Sequence, residues 1–288
     1  MTTKMTTKTT VNVTMENTQE SAMDEKVTPK GIGCLDMVIA FDTTGSMSAY
    51  IDDVRQQVKE MIPRLFKENE DLQLGIVAFG DYCDMENISK YGDAYQCMPL
   101  TNNENDLISF VTHARNTSGG DGDEFYELVL QKIIDEMPWR KDASKAILLI
   151  ADADPHEVGY SYGEYVHGNQ IDWREEARKA ASQKIKIDTV SICGRPWYKE
   201  VSAMTNGICV PFKSSGKTAT MIETATIARS AMAFGAHADE KSPMAEYARE
   251  RMHDLKGRLD IMFDGCQDSE LNEVYYSYKK DLDEKKPE

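Results

Sequence analysis

Segments with the length and hydrophobicity of buried β-strands alternate with amphipathic helical segments from residue 35 to about residue 234. The first strand-like segment, LDMVIAFD (35–42), is almost entirely apolar, as expected for a strand that is covered on both faces. The segment that follows it repeats apolar residues at helical spacing. Six strand-like segments connected in this way predict an α/β fold, in which helices cover both faces of a mostly parallel six-stranded sheet.

Three regions of different composition predict the domain organisation. Residues 1–32 are rich in threonine and poor in residues that pack, which predicts a disordered polar tail. Residues 33–235 contain the strand–helix alternation, and residues 236–288 contain two charged amphipathic segments that predict a C-terminal helical appendage. We expect these two helices to pack on the sheet domain or on each other; the alternative is a docking surface for a partner protein.

Composition limits where the chain acts and what it binds. The sequence has neither an apolar run long enough for a transmembrane helix nor the apolar core of a secretory signal, so we expect a cytoplasmic protein without membrane insertion. Six scattered cysteines without a CxxC pair predict reduced thiols; a Cys83–Cys97 disulfide is the alternative. The formal net charge of −16 argues against nucleic acid as a partner and favours a cation or a basic protein surface.

The first strand ends on a carboxylate, Asp42, and two hydroxyl side chains follow it at alternate positions, Thr44 and Ser46. One interpretation is that a serine of this stretch, Ser46 or Ser48, caps the next helix. The other is that these side chains present oxygen ligands to a divalent cation such as Mg²⁺ or Ca²⁺. Because ligands bind at the carboxyl ends of strands in sheets of this kind, and Asp152 ends another strand, the sequence favours a cation site.

Three stretches carry a family resemblance: VIAFDTTGSM (38–47), SGGDGDE (118–124) and AILLIADADPH (146–156). Together they resemble the von Willebrand factor type A (vWA) domain with its metal-ion-dependent adhesion site, in a branch that carries GGDxPE and LIADAPPH stretches. The resemblance implies a three-layer Rossmann-like fold and a bound Mg²⁺, Mn²⁺ or Ca²⁺. The expected metal ligands are Asp42, Thr44, Ser46, Asp121 and Asp152. Water or a partner's Asp or Glu carboxylate would complete the coordination, inside a rim formed by Asp81, Tyr82, Asp154 and His156.

Asp121 departs from the familiar adhesion pattern, in which the second loop supplies a threonine. Thr117, in the same loop, is the alternative ligand. If Asp121 is the ligand, three carboxylates surround the ion and the site keeps a net negative charge. We therefore expect firm metal binding but weaker capture of an incoming carboxylate.

We interpret the chain as a metal-dependent protein-interaction module and not as an enzyme, working in a larger complex such as an AAA+ ATPase or kinase system. One alternative is a metal-dependent hydrolase, because a bound metal can activate water. His156 is the nearest candidate base, and the sequence suggests no residue that would orient it. The other alternative is a structural subunit whose metal only holds the loops together. The sequence has no GxSxG and no GxxxxGK[ST], which argues against an esterase or a nucleotide-phosphate loop.

Overall fold

The computed structural model describes residues 34–69, 71–85, 93–164, 166–214, 216–236 and 243–284. The predicted tail, 1–32, lies outside these residues, and the domain boundary at residue 235 stays a prediction.

The central sheet has six strands in the spatial order β3-β2-β1-β5-β7-β8. Neighbouring strands pair in parallel except β2 and β3, which are antiparallel. This confirms the predicted mostly parallel six-stranded sheet. The strands are β1 (Leu35–Asp42), β2 (Leu72–Phe79), β3 (Tyr95–Thr101), β5 (Ser144–Ala151), β7 (Ile185–Ser191) and β8 (Cys209–Pro211).

Helices cover both faces of this sheet, as the alternation predicts. None of the helices in the described residues combines the length and the hydrophobicity that a membrane span requires. The helices are α1 (Ile51–Glu68), α2 (Tyr82–Met85), α3 (Glu104–His113), α4 (Tyr126–Glu136), α5 (Trp173–Ser182), α6 (Pro196–Met204), α7 (Lys217–Ala236), α8 (Pro243–Phe263) and α9 (Ser269–Glu284).

Strand β1 is buried on both faces because successive side chains point to opposite sides of the sheet. Met37, Ile39 and their alternate neighbours pack with α1, α3 and α7, whereas Val38 and Ala40 pack with α4, α5 and α6. Two aspartates interrupt the apolar pattern of this strand, Asp36 near its start and Asp42 at its end. Asp36 is fully buried and accepts hydrogen bonds from Arg140 Nε at 2.7 Å and from the Arg140 backbone N–H at 2.6 Å. The strand is therefore anchored at its start by an ion pair and along its length by two apolar layers.

The two C-terminal helices pack on the sheet domain. Leu255 and Leu259 of α8 and Leu271 and Tyr275 of α9 are buried in the same apolar cluster as Met37 of β1. This agrees with the expectation from the sequence that these helices pack on the sheet domain or on each other. None of the six cysteines, all of which lie in the described residues, forms a disulfide, as the lack of a CxxC pair predicts, so the alternative Cys83–Cys97 bridge is wrong.

A second, two-stranded sheet was not predicted from the sequence. Its strands, β4 (Asp123–Glu124) and β6 (Asp154–Pro155), pair in parallel, and the His156 N–H donates to the Glu124 carbonyl at 3.2 Å. This short pairing joins the second and third motif stretches beside the carboxyl ends of β1 and β5.

Candidate metal centre

The carboxyl ends of β1 and β5 bring the first and third motif stretches together. Asp42 is the last residue of β1, and Asp152 directly follows β5, its parallel neighbour. Thr44 Oγ1 donates to Asp42 Oδ1 at 2.7 Å, and Ser46 Oγ donates to Asp152 Oδ1 at 3.0 Å. The two hydroxyl oxygens lie 3.1 Å apart. Four of the five predicted ligands therefore form one continuous chain of oxygens.

The capping interpretation of these hydroxyls is wrong. Helix α1 begins after Tyr50 without a side-chain cap, and the 3₁₀ turn Gly45–Ala49 that precedes it also has none. The backbone N–H and the hydroxyl of Thr44 both donate to Asp42 instead. The hydroxyls of Thr44 and Ser46 are thus directed at carboxylates and not at the helix that follows.

A buried tyrosine, Tyr126 of α4, links the two strand ends. Its hydroxyl donates to Asp42 Oδ2 at 2.6 Å and accepts from the Ala153 backbone N–H at 3.1 Å. The Tyr198 hydroxyl donates to the Ala153 carbonyl at 2.9 Å, so both polar groups of that peptide are satisfied by side chains. Asp42 is consequently fixed through both of its oxygens.

The second motif stretch is held against the first by backbone hydrogen bonds. Thr117 N–H donates to the Thr43 carbonyl at 2.9 Å, and Gly45 N–H donates to the Ser118 carbonyl at 3.0 Å. A Cβ on Gly45 would lie 2.9 Å from that carbonyl oxygen, so the close approach requires glycine. The Thr117 hydroxyl lies 3.0 Å from the Thr43 hydroxyl, which places this alternative ligand beside Thr43.

Sequence reasoning missed Glu124, which the structure places next to the oxygen chain. The residue is 3% exposed, and its Oε2 has no hydrogen-bond partner among the described residues. Its carboxylate and the side chain of Thr44 both lie close to Gly119, at 3.0 and 3.3 Å from the position that a Cβ would take there. The position of Glu124 just before a helix, in the stretch GGDGDE, could have indicated it as a ligand, but the sequence prediction chose Asp121 of the same stretch.

Burial raises the pKa values of the acids in this centre. The pKa of Asp42 rises to about 7 because burial disfavours its charged form, although hydrogen bonds from Tyr126 and Thr44 oppose the shift. Burial likewise raises the pKa of Asp152, against the hydrogen bond from Ser46. The pKa of Glu124 is raised by burial and by the charge of Asp42. A nearby cation would favour the ionised form of each acid.

Asp121 lies in a separate cluster with two of the predicted rim residues. One ligand atom each of Asp81, Asp121 and His156 lie within 4.8 Å of one another. His156 Nε2 is 2.8 Å from Asp81 Oδ1, and the Tyr160 hydroxyl donates to Asp121 Oδ2 at 2.8 Å. Burial lowers the pKa of His156, but the hydrogen bond with Asp81 and the charges of the surrounding acids, Asp81, Glu127 and Asp121, together outweigh burial, and the net shift is upward. The residue that orients His156, which the sequence did not suggest, is therefore Asp81.

The predicted rim residues differ in exposure. Asp81 is fully buried, and His156 and Tyr82 are 1% and 5% exposed. The Tyr82 hydroxyl donates to Glu127 Oε1 at 2.9 Å. Asp154, whose side chain is 34% exposed, is held by Arg195 at 2.7 Å. A ligand approaching from solvent thus meets Asp154 before the other three.

Known proteins share sequence or fold with parts of this chain. Over 129 residues the chain is 26% identical to an alpha-protein kinase, vwkA, of Dictyostelium discoideum, which covers 44% of this chain and 20% of the kinase. Over 122 residues it is 24% identical to a putative ariadne-like RING finger protein, R811, of Acanthamoeba polyphaga mimivirus, covering 42% of this chain and 11% of that protein. The chain thus matches a fifth or less of the length of these relatives.

Among solved structures, the pilus adhesin SpaC of Lactobacillus rhamnosus GG in its open conformation has the same fold, with a TM-score of 0.50 and 13% identity. The match covers 68% of this chain and 30% of the adhesin. The sequence profile of the von Willebrand factor type A domain matches residues 36–225, a span that contains all of the oxygen chain. Domains of this family generally serve as protein-interaction modules, often with a divalent metal. This chain belongs to the von Willebrand factor type A domain family.

Proposed function

We propose that the chain is a metal-dependent protein-interaction module. A divalent cation, Mg²⁺ with Mn²⁺ or Ca²⁺ as substitutes, would be held by Asp42, Thr44, Ser46 and Asp152. A carboxylate from a partner protein would complete its coordination. Glu124 is our candidate for the acid from the second loop, in competition with Asp121, the ligand expected from the sequence.

The observation that carries this proposal is the spacing of the oxygens in the oxygen chain. Thr44 Oγ1 lies 2.7 Å from Asp42 Oδ1 and Ser46 Oγ lies 3.0 Å from Asp152 Oδ1, so each hydroxyl can donate its hydrogen to a carboxylate and keep its lone pairs for an ion. The two hydroxyl oxygens lie 3.1 Å apart. Adjacent oxygens of an octahedral Mg²⁺ site, with bonds of ~2.1 Å, are about 3.0 Å apart. The unpartnered Oε2 of Glu124 beside Thr44 supports the same interpretation.

Calorimetric titration of the full chain with Mg²⁺ tests the cation site. We expect wild type to bind one ion, and Ser46→Ala and Asp42→Asn to weaken binding at least about tenfold, since the first removes a ligand oxygen and the second removes a negative charge beside the ion. Ser48→Ala is the matched control, because Ser48 is exposed on the same turn. Equal Mg²⁺ affinity in wild type, Ser46→Ala and Asp42→Asn contradicts the proposed site.

The assignment of the second-loop acid has its own comparison. Glu124→Gln should lower Mg²⁺ affinity more than Asp121→Asn if the buried carboxylate beside Thr44 is the ligand. A larger loss of Mg²⁺ affinity in Asp121→Asn than in Glu124→Gln would instead support Asp121 as the second-loop ligand. Both variants keep side-chain size, so a difference between them reports charge and position.

Binding and structural roles of the metal are separated by a pulldown of interacting proteins in Mg²⁺ and in EDTA, with wild type and Asp42→Asn. Capture that needs both the ion and Asp42 supports interaction through the metal. If EDTA lowers the melting temperature but the captured proteins stay the same, the metal is structural. A kinase or AAA+ ATPase complex in the cytoplasm stays the predicted setting.

The hydrolase alternative gains one feature, the hydrogen bond that orients His156 towards Asp81. A general base must reach the water or hydroxyl that it deprotonates. His156 is 1% exposed and stacks on Tyr160 with ring centroids 3.6 Å apart, so its ring is covered. This burial favours the interaction module.

A further inference from the structure

A cluster outside the oxygen chain contains a nitrogen donor. Asp81 follows β2, Asp121 lies in the second motif stretch, and His156 follows β6, yet their donor atoms lie within 4.8 Å of one another. None of the three contributes to the Asp42–Asp152 oxygen chain. We propose that Asp81, Asp121 and His156 form a second metal site, one that takes a divalent transition metal such as Zn²⁺.

One carboxylate oxygen in this cluster lacks the partner that burial demands. Asp81 is fully buried, and its Oδ2 has no hydrogen-bond partner among the described residues. A buried polar atom without a partner has lost its hydrogen bonds to water and gained none in return, so such atoms are rare in folded proteins. Because Asp81 Oδ1 already bonds to His156, a cation beside His156 is well placed to satisfy the second oxygen.

The backbone fixes one of the outer two donors independently of any ion. The parallel pairing of β4 with β6 aligns Asp123 with Asp154, so Asp121 lies two residues before this pair on one strand and His156 two residues after it on the other. The His156 N–H donates to the Glu124 carbonyl and continues the pairing. Main-chain pairing therefore holds His156, whereas the Asp121 side chain reaches the cluster from the loop that precedes β4.

A second layer of contacts orients these donors. The Tyr160 hydroxyl donates to Asp121 Oδ2 at 2.8 Å, and its ring stacks on the His156 imidazole at an interplanar angle of 14°. The Asp123 N–H donates to Asp121 Oδ1 at 3.2 Å. Partners of this kind fix ligand orientation at metal sites and affect affinity strongly.

The donor set decides the class of metal. One imidazole nitrogen with two carboxylates suits Zn²⁺ and its neighbours, whereas Mg²⁺ and Ca²⁺ prefer oxygen ligands only. Adjacent ligands on a tetrahedral Zn²⁺ with bonds of ~2.0 Å are about 3.3 Å apart. The 2.8 Å between His156 Nε2 and Asp81 Oδ1 is within half an ångström of that value, so a small side-chain movement opens the site. Metal binding would displace the proton that these two atoms share.

The test is a Zn²⁺ titration of the full chain in excess Mg²⁺, which saturates the oxygen chain. We expect one Zn²⁺ to bind wild type, and His156→Gln and Asp121→Asn to weaken it at least about 100-fold, more than the loss of an outer partner. Tyr160→Phe should weaken it about tenfold. Ser46→Ala, which alters the other site, should leave Zn²⁺ affinity unchanged.

Co²⁺ in place of Zn²⁺ identifies the donors. Wild type should give weak ligand-field bands without the strong near-ultraviolet charge-transfer band of a thiolate ligand. Wild-type Zn²⁺ affinity in both His156→Gln and Asp121→Asn, or a thiolate band, assigns the metal to surface cysteines such as Cys97 or Cys193 and overturns the proposal. No Zn²⁺ binding to wild type overturns it as well. Asp121 is exposed, so Asp121→Asn keeps the test valid if His156→Gln does not fold.

Discussion

Replacing Tyr126 by phenylalanine removes one hydroxyl that serves two buried groups. Asp42 Oδ2 loses a donor at 2.6 Å, and the Ala153 N–H loses its acceptor at 3.1 Å. A hydrogen bond to a charged group contributes about 1.5–3 kcal/mol, and an unsatisfied buried N–H costs about 1–3 kcal/mol. We therefore expect Tyr126→Phe to lower the free energy of unfolding by roughly 3–5 kcal/mol when Asp42 is ionised. Denaturant unfolding in EDTA at about pH 8, above the Asp42 pKa of about 7, measures this loss.

The charge of Asp42 makes this cost depend on pH. At about pH 5 the buried carboxyl is protonated, so only neutral hydrogen bonds are lost and the cost should fall to roughly 2 kcal/mol. Tyr198→Phe is the matched control, because this equally buried hydroxyl donates to the neutral Ala153 carbonyl. Its cost should be about 1 kcal/mol at both pH values. The reasoning is refuted if Tyr126→Phe costs no more than Tyr198→Phe at about pH 8, or if its cost does not change with pH.

Three further predictions concern stability and loop geometry. The folded-state pKa of Asp42, about 7, exceeds the unfolded value of ~3.9, so the metal-free protein should lose stability as pH rises from about 4 to about 7. Denaturant midpoints measured across this pH range should show the loss, and Mg²⁺ should reduce it. Gly119 has φ +71°, so Gly119→Ala should cost about 1–3 kcal/mol in the same assay, whereas Gly122→Ala, with open space at its Cβ, should be within about 0.5 kcal/mol of wild type. Leu259→Ala, in the buried face of α8, should lower the free energy of unfolding by about 2–5 kcal/mol in thermal and denaturant unfolding. The control is Ile261→Ala, which should be near neutral because Ile261 is 81% exposed. Equal effects of the two substitutions would mean that α8 does not pack as described.

The parts of the fold that follow from local pattern were predictable from the sequence. Continuous apolar runs identify strands buried on both faces, and strand β1 shows why, since Met37 and Val38 contact opposite helical layers. The meeting of Asp42 and Asp152 also followed, because parallel strands end at the same edge. These inferences need only the alternation of side chains between the two faces of a strand and the rule that parallel neighbours end at the same edge of a sheet.

The positions of the second-loop acids were not predictable in this way. Which of Asp121 and Glu124 reaches the oxygen chain depends on the pairing of β4 with β6 and on the hydrogen bond between Gly45 and Ser118. Both are contacts between residues far apart in the chain, and a two-residue strand has no hydrophobic period to reveal it. The contact between Asp81 and His156 is hidden for the same reason, since it joins the ends of separate strands.

The chemistry of the oxygen chain explains why hydroxyls stand beside the carboxylates at this edge. Burial raises the pKa of Asp42 despite three hydrogen-bond donors, so neutral hydrogen bonds alone do not balance its charge. A lysine or arginine would neutralise the acid but has no lone pair to offer an ion. Thr44 and Ser46 donate one hydrogen each to Asp42 and Asp152 and keep their lone pairs, so each hydroxyl can orient a carboxylate and ligate a cation at once. The negative charge that remains on Asp42 and Asp152 would attract a divalent ion. The hydrogen bonds that hold these two acids in place also leave the hydroxyl oxygens free to bind that ion.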